Sequence, residues 1–334
     1  MSLDLDNQWS YMKTHGDAGW ELFPSYLEEF GPILLDRLRR HDLKITIFIV
    51  GQDAALSKNH DALRAMAEAG HDIGNHSFHH EPWLHRYSIE QISSEIAEAE
   101  FHIESATGKR PCGFRGPGYS LSEAVLRVLS TRGYLYDASS FPTVIGPLAR
   151  MYYFWHSRDF TPEEKENRKL LFGTLLDGLR PLRPYLWSLD TNQSLLEIPV
   201  TTMPLFRLPI HLSYLQYLMK FSSVVASAYL RWAVALCRVN RIQPSFLLHP
   251  LDFLGGDSVP NLSFFPGMEL TTDQKLSNFD RVISYLKRHF HIVSMEDHAR
   301  SLLAERSLPR RLPHFSRQAS ESQLKLSLEV PQQS

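Results

Sequence analysis

Two histidines four residues apart and two aspartates two residues apart are the spacings in this chain that offer chemistry. His76 and His80 bracket the stretch His76-Ser77-Phe78-His79-His80. On a helical turn, side chains at i and i+4 share a face, a spacing with which two imidazoles can chelate a metal ion. His79 leaves that face and is expected to be a bystander. Near the start, Ser2-Leu3-Asp4-Leu5-Asp6 reads as a strand, whose period of two turns Asp4 and Asp6 to one face and Leu3 and Leu5 to the other. One carboxylate would complete a His, His, Asp site and the other would stand beside the ion as a base, a division of labour suited to metal-assisted hydrolysis.

Two further segments add to this set. Phe114-Arg115-Gly116-Pro117-Gly118-Tyr119 places a cation and a Gly/Pro loop after a short apolar run. His249 ends the run Phe246-Leu247-Leu248, where a buried strand has no packing reason to carry an ionisable ring.

The elements that must hold these residues alternate along the chain. Short β-rich or apolar runs fall at 3–6, 45–50, 72–75, 113–115, 134–137, 195–200 and 246–249, with amphipathic stretches at 26–40, 61–69, 89–107, 122–132 and 272–289. Repeated strand–helix units predict an α/β fold with a parallel sheet. The choice lies between an open doubly wound sheet and a (β/α) barrel of about seven strands. Asp6, His76, Arg115 and His249 each sit at or just after the end of a different strand, which favours the barrel, whose sites form at its C-terminal strand ends.

From 146 to 190 the alternation breaks, and Thr161-Pro162-Glu163-Glu164 reads as a capped helix start, so a helical insertion is expected there. The region 205–240 is apolar and helical in pattern, carries Arg207, Lys220, Arg231 and Arg238, and has no acidic residue between Glu197 and Asp252. It reads either as a core-packing helix pair or as a basic-rimmed ledge against a membrane. Residues 306–334 turn Ser, Gln, Pro and Arg rich and are expected to be disordered, leaving 1–305 as one domain.

Composition excludes several classes. A formal net charge of -2 in 334 residues gives no global attraction for nucleic acid. Only Cys112 and Cys237 are present, so neither a disulfide framework nor a thiolate zinc site is expected. Acidic residues from Asp4 onward do not resemble an export leader, and the charges within 205–240 break any membrane span. The expected location is cytoplasmic, with peripheral contact at the inner membrane face.

With these motifs together, the chain resembles the NodB-type polysaccharide deacetylases, the metal-dependent hydrolases of carbohydrate esterase family four, over 1–142 and 195–300. Ser-Leu-Asp4-Leu-Asp6 is similar to the family's paired aspartates in a spaced variant. His76-Ser77-Phe78-His79-His80 fits its His-Ser/Thr-x-x-His motif, Arg115-Gly116-Pro117-Gly118-Tyr119 its arginine motif, and Leu247-Leu248-His249 its late histidine. The resemblance implies a distorted (β/α) barrel of seven strands and one divalent metal, zinc, cobalt, nickel or iron, held by Asp6, His76 and His80. It implies Asp4 as base, His249 as acid, Arg115 as the partner of Asp4, and an oxyanion or substrate wall at Pro117 and Tyr119 using a backbone N–H near Tyr119. Asp137 is expected to tune His249 or line the pocket. The implied reaction is hydrolysis of an N-acetyl group on an amino sugar, in a polysaccharide or in a nucleotide- or lipid-linked precursor. Deformylation, cyclic amide opening and a non-catalytic carbohydrate-binding role are the alternatives.

Overall fold

The computed structural model describes residues 1–145, 177–190, 193–304 and 307–313. In chain order these form β1 (Ser2–Leu5), α1 (Gln8–His15), α2 (Leu27–Arg40), β2 (Thr46–Ile49), α3 (Gly51–Ala55), α4 (His60–Glu68), β3 (Asp72–Asn75), α5 (Ile89–Thr107), β4 (Gly113–Phe114) and α6 (Glu123–Thr131). They continue with β5 (Tyr136–Asp137), β6 (Tyr185–Ser188), β7 (Ser194–Glu197), α7 (Leu212–Phe221), α8 (Ser223–Val239), β8 (Leu247–Leu248), α9 (Thr272–Lys287), α10 (Met295–Ala304) and β9 (Arg310–Arg311).

Seven strands run parallel in the order β8-β1-β2-β3-β4-β5-β7, as the strand–helix alternation predicts. The ladder does not close, so the barrel is distorted and open between β7 and β8. Across that gap the Thr201 N–H donates to the Ser245 carbonyl at 3.2 Å, and the Ser245 N–H to Thr201 Oγ1 at 2.8 Å. These bonds join the segment after β7 to the segment before β8.

Strand alternation sorts the side chains. Leu3, Leu5, Ile47, Ile49 and Ile73 face outward into the main core, which α2, α4, α7, α8 and α9 cover with apolar positions three or four apart, such as Leu27, Phe30, Leu34 and Leu38. The opposite faces line the interior. Asp4, Phe48 and Gly74 stand in one row across β1, β2 and β3. Phe48 packs with Tyr136, Leu196 and the α10 residues Met295, Ala299 and Leu302. The Met295 N–H donates to Thr46 Oγ1 at 2.8 Å, so α10 closes the end of the sheet where the strands begin and leaves their C-terminal ends for polar side chains.

Local signals set several boundaries. α5 begins at a capping box in which Ser88 and Gln91 exchange side-chain and backbone bonds, and it ends at Gly108 in the left-handed region. Thr271 and Gln274 start α9 in the same way.

Two expectations need correction. The described end of the 146–190 insertion, residues 177–190, is not helical throughout: β6 lies there, antiparallel to β7. The capped helix expected at Thr161 falls outside the described residues. The tail expected to be disordered from 306 begins instead with β9, which pairs with Leu186 and Trp187 of β6. An edge strand recruits its neighbour through backbone groups alone, so Arg310-Arg311 carries no apolar pattern to reveal it.

Gly74 meets a close approach. A Cβ there would lie 2.3 Å from the Phe48 ring. We expect Gly74→Ala to cost about 1–3 kcal/mol by overpacking, measured as a lowered midpoint in chemical unfolding; an unchanged midpoint would show that Phe48 can yield.

Candidate active site

Asp6, His76 and His80 converge, with one ligand atom from each lying within 4.8 Å of the others. Asp6 Oδ1 is 3.4 Å from His76 Nε2 and 3.0 Å from His80 Nε2. Burial alone would raise the Asp6 carboxyl, but the charges and hydrogen bonds of His80 and His76 outweigh it and hold the group well below the usual carboxylate range. Burial likewise pulls His76 down, while its bond to Asp6 and the charges of Asp4 and Asp6 bring it out raised. The His76 ring is fixed from behind, where Nδ1 donates to the Arg115 carbonyl at 2.6 Å and leaves Nε2 directed at Asp6. His80 Nδ1 is buried without a partner. Two imidazole nitrogens and a carboxylate oxygen in this arrangement fit a divalent ion of the zinc type and leave a coordination position for other ligands.

The histidine pair does not lie on a helix, which corrects the expectation of an i, i+4 face. The segment is a loop, with Ser77 at φ 60° and His80 at φ 55°. Its N–H groups are drawn away from any helical ladder. His76 N donates to Ile49 O at 2.9 Å, Ser77 N to Asn75 Oδ1 at 2.8 Å, and Phe78 N and His79 N to Glu95 Oε2, each at 3.1 Å. From the other side, Gly51 N and Gln52 N at the start of α3 donate to Ser77 O and Phe78 O at 2.8 and 3.0 Å. Only a glycine permits this approach, because a Cβ on Gly51 would lie 2.6 Å from Phe78 and 2.7 Å from Ala99. His79 turns outward and bonds Glu95, as expected of a bystander.

Asp4, on the same face of β1 as Asp6, has different company. Arg115 Nη1 donates to Asp4 Oδ1 at 2.6 Å and to Ser2 Oγ at 2.9 Å, while Nε donates to Ala138 O at 3.0 Å. The guanidinium lies over the Phe48 ring, 4.5 Å from its centroid, and Arg115 is fully buried. The second oxygen of Asp4 faces His249 Nε2 at 4.0 Å. His249 Nδ1 is held by Ser213 Oγ at 3.1 Å and lies 3.9 Å from Asp252 Oδ2, which also accepts the His249 N–H at 2.8 Å.

Pro117, Tyr119 and Asp137 sit in different surroundings. The Tyr119 N–H, in the segment expected to supply an oxyanion donor, donates to Gly116 O at 2.9 Å inside a tight turn. Tyr119 packs its ring on Phe141 at 4.5 Å, and burial together with the Asp4 charge pushes its phenol up. Pro117 is buried at the start of that turn. Asp137 neither tunes His249 nor lines the pocket. Ser139 Oγ donates to it at 2.6 Å, and it faces Glu197 across β5 and β7. Burial raises both carboxyls; the Asp137 charge pushes Glu197 up further, whereas the bond to Glu197 partly offsets the rise at Asp137.

Sequence reading missed Ser213, Asp252, Glu95 and the residues behind Asp6. Asn7 caps α1, accepts the Gln8 and Tyr26 N–H groups at 2.8 and 3.2 Å, and donates to Ser25 Oγ and Asp53 Oδ1 at 2.9 and 2.7 Å. Trp9 Nε1 also donates to Asp53 Oδ1, at 2.9 Å, and the Trp9 ring stands edge-on to His80. Glu95 had a readable signal, since it shares the buried stripe of Ile92, Ile96 and Ala99 on α5. Asp53 had none.

The chain matches known proteins over part of this machinery. The polysaccharide deacetylase family model matches residues 16–136, a span that contains His76, His80, Arg115 and Tyr119. A peptidoglycan-N-acetylglucosamine deacetylase of Bacillus cereus is 29% identical over 116 residues, covering 35% of this chain and 41% of the relative. A peptidoglycan-N-acetylmuramic acid deacetylase of Bacillus subtilis is 33% identical over 110 residues, covering 33% of this chain and 41% of the relative. The chain thus spans less than half the length of these relatives. A solved structure described as a candidate polysaccharide deacetylase from Mycobacterium smegmatis matches with a TM-score of 0.59 and 18% identity, over 95% of this chain and 93% of the other, and it supports the fold. The resemblance read from the motifs holds.

Asp53 supplies a test of the shell behind the ligands. Burial, only partly offset by its Asn7 and Trp9 bonds, raises its carboxyl from 3.8 to about 7, and its Oδ2 is buried without a partner. A raised folded-state pKa gives stability that is complete below the unfolded value and is lost as pH rises through about 7. We therefore expect Asp53→Asn to gain stability relative to the unmodified protein as pH rises from 3.8 to about 7 and to hold that gain above it, read from paired thermal unfolding curves. A difference that does not change with pH would mean that Asp53 is ionised throughout.

Proposed function

We propose that this chain, whose residues 16–136 match the polysaccharide deacetylase family model, is a metal-dependent hydrolase that removes N-acetyl groups from an amino sugar, in a polysaccharide or its precursor. The observation that carries the reading is the separation of two aspartates on one strand face. Asp6 faces two imidazoles, whereas Asp4 is turned between Arg115 and His249.

Asp6, His76 and His80 would hold a divalent ion, which supplies Lewis acidity towards a carbonyl oxygen and towards water. Arg115 occupies one oxygen of Asp4 and leaves the other, Oδ2, towards His249 as an acceptor for the proton of an attacking water. His249 Nε2, on the far side of that oxygen, is placed to deliver a proton to the departing nitrogen, without which an amine is a poor leaving group. Ser213 and Asp252 keep the His249 ring in that orientation. Tyr119, with its ring on Phe141, stands where the charges of Asp4 and Asp6 reach its phenol. The names of the curated relatives, deacetylases of peptidoglycan amino sugars, support the choice of bond and substrate class.

Acetate release from N-acetylglucosamine oligomers, with metal content measured on the same samples, tests this. We expect about one divalent ion per chain, lost in His76→Ala. Asp4→Asn should retain the ion and lose roughly 10²–10⁴-fold in kcat, and His249→Ala should fall comparably. Full turnover by Asp4→Asn with saturating metal would remove Asp4 as the base. Faster release from N-formyl or cyclic amide substrates would reassign the substrate.

A further inference from the structure

Helix α8 is apolar on both sides. Ala226, Leu230, Ala233, Val234 and Cys237 face the protein, as an amphipathic helix requires. Its outer side, however, carries Val224, Val225, Trp232 and Val239 at 76, 58, 68 and 81% exposure. Phe221, at the end of the preceding α7, is 66% exposed. A helix that is hydrophobic all round belongs in a core or against a membrane, and this one stands at the surface. No described helix is long and apolar enough to cross a membrane, so α8 would lie along a bilayer, not through it.

The charges on this face are of one sign. The outer side of α8 adds Arg231 and Arg238, and the chain from 198 to 251 contains no acidic residue. A groove of about 550 Å³ runs between α8 and α9, lined by Ser223, Val224, Ser227, Arg231, Trp232 and Arg281. Among the described residues neither Arg231 nor Arg281 is paired with a carboxylate. The adjacent Asp280 is occupied by Arg37 and His41, at 2.8 and 2.9 Å. Two such faces meeting about a two-fold axis would bring the arginines of both copies into one interface with no acid from the 198–251 segment to neutralise them. Anionic headgroups supply that charge, and an acyl boundary accepts the Trp and Val side chains.

We propose that the outer face of α8, with the Arg231–Arg281 groove, seats the protein on an anionic lipid bilayer. The seat adjoins the candidate site. α8 packs on α7, and Ser213 in the first turn of α7 bonds His249. In the one step that rests on the deacetylase reading, the substrate is then an N-acetylated amino sugar carried at a membrane surface.

Sedimentation of the full chain with vesicles of phosphatidylcholine mixed with phosphatidylglycerol tests this, with pure phosphatidylcholine as control. The mixed vesicles should carry the protein down and raised salt should release it. Arg231→Glu combined with Arg281→Glu should weaken binding about tenfold or more, and Trp232→Ser should weaken it with unfolding midpoint unchanged. Equal partition onto both vesicle types, or none, overturns the proposal. So does a dimer in analytical ultracentrifugation that these substitutions dissociate, which would give the face to a second copy. Acetate release from soluble oligomers should be unaffected by all three substitutions, so a lost membrane seat and a lost activity are read separately.

Discussion

The buried contact between Arg115 and Asp4 is the interaction on which the rest of the site depends. A charge with no solvent exposure is tolerated only when its partner is close and its remaining donors are used. Arg115 answers most of that demand through Nε and Nη1, reaching three places at once, Asp4 and Ser2 on β1, the Ala138 carbonyl beyond β5, and the Phe48 face on β2, while its buried Nη2 has no hydrogen-bond partner. Its own carbonyl takes the His76 Nδ1 proton. One residue thereby orients a carboxylate through its side chain and a metal-type imidazole through its main chain. Removing one member of a buried ion pair costs about 3–5 kcal/mol, so these strand ends are not free to drift apart.

The architecture separates polar from apolar along the strand direction. At the end where the strands begin, Met295, Ala299 and Leu302 of α10 fill the interior with Tyr136 and Leu196. Towards the other end, the row of Asp4, Phe48 and Gly74, which the register continues to His249 after β8, gives way to Asp6 and His76. Asp6 and Asp4 differ by one pleat in height, enough to place one among imidazoles and the other against a guanidinium. The chemistry proposed for each follows from that difference in neighbours.

Much of this was legible from residue order where local rules govern. The period of two put Asp4 and Asp6 on one face, the amphipathic stretches at 89–107 and 272–289 marked two of the helices, and strand-end positions pointed to a barrel site. What was not legible is set by distant partners. The His76–His80 loop takes its shape from Glu95 and from the α3 N–H groups, not from its own spacing. Asp137 looked available until Glu197 appeared opposite it. Asp53 reaches Asn7 and Trp9 across a separation that no periodicity reports. The α8 surface was legible as composition, but which of its sides faces outward needed the packing.

The central claim is that Asp6 is a ligand while Asp4, two residues away on the same face, is not. A crystal structure of the protein with a bound divalent metal, collected at the metal's absorption edge, tests it most directly. The account predicts one anomalous peak in contact with His76 Nε2, His80 Nε2 and a carboxylate oxygen of Asp6, with Asp4 still bonded to Arg115 and outside the coordination sphere. A peak ligated by Asp4, or one away from His76 and His80, would contradict it.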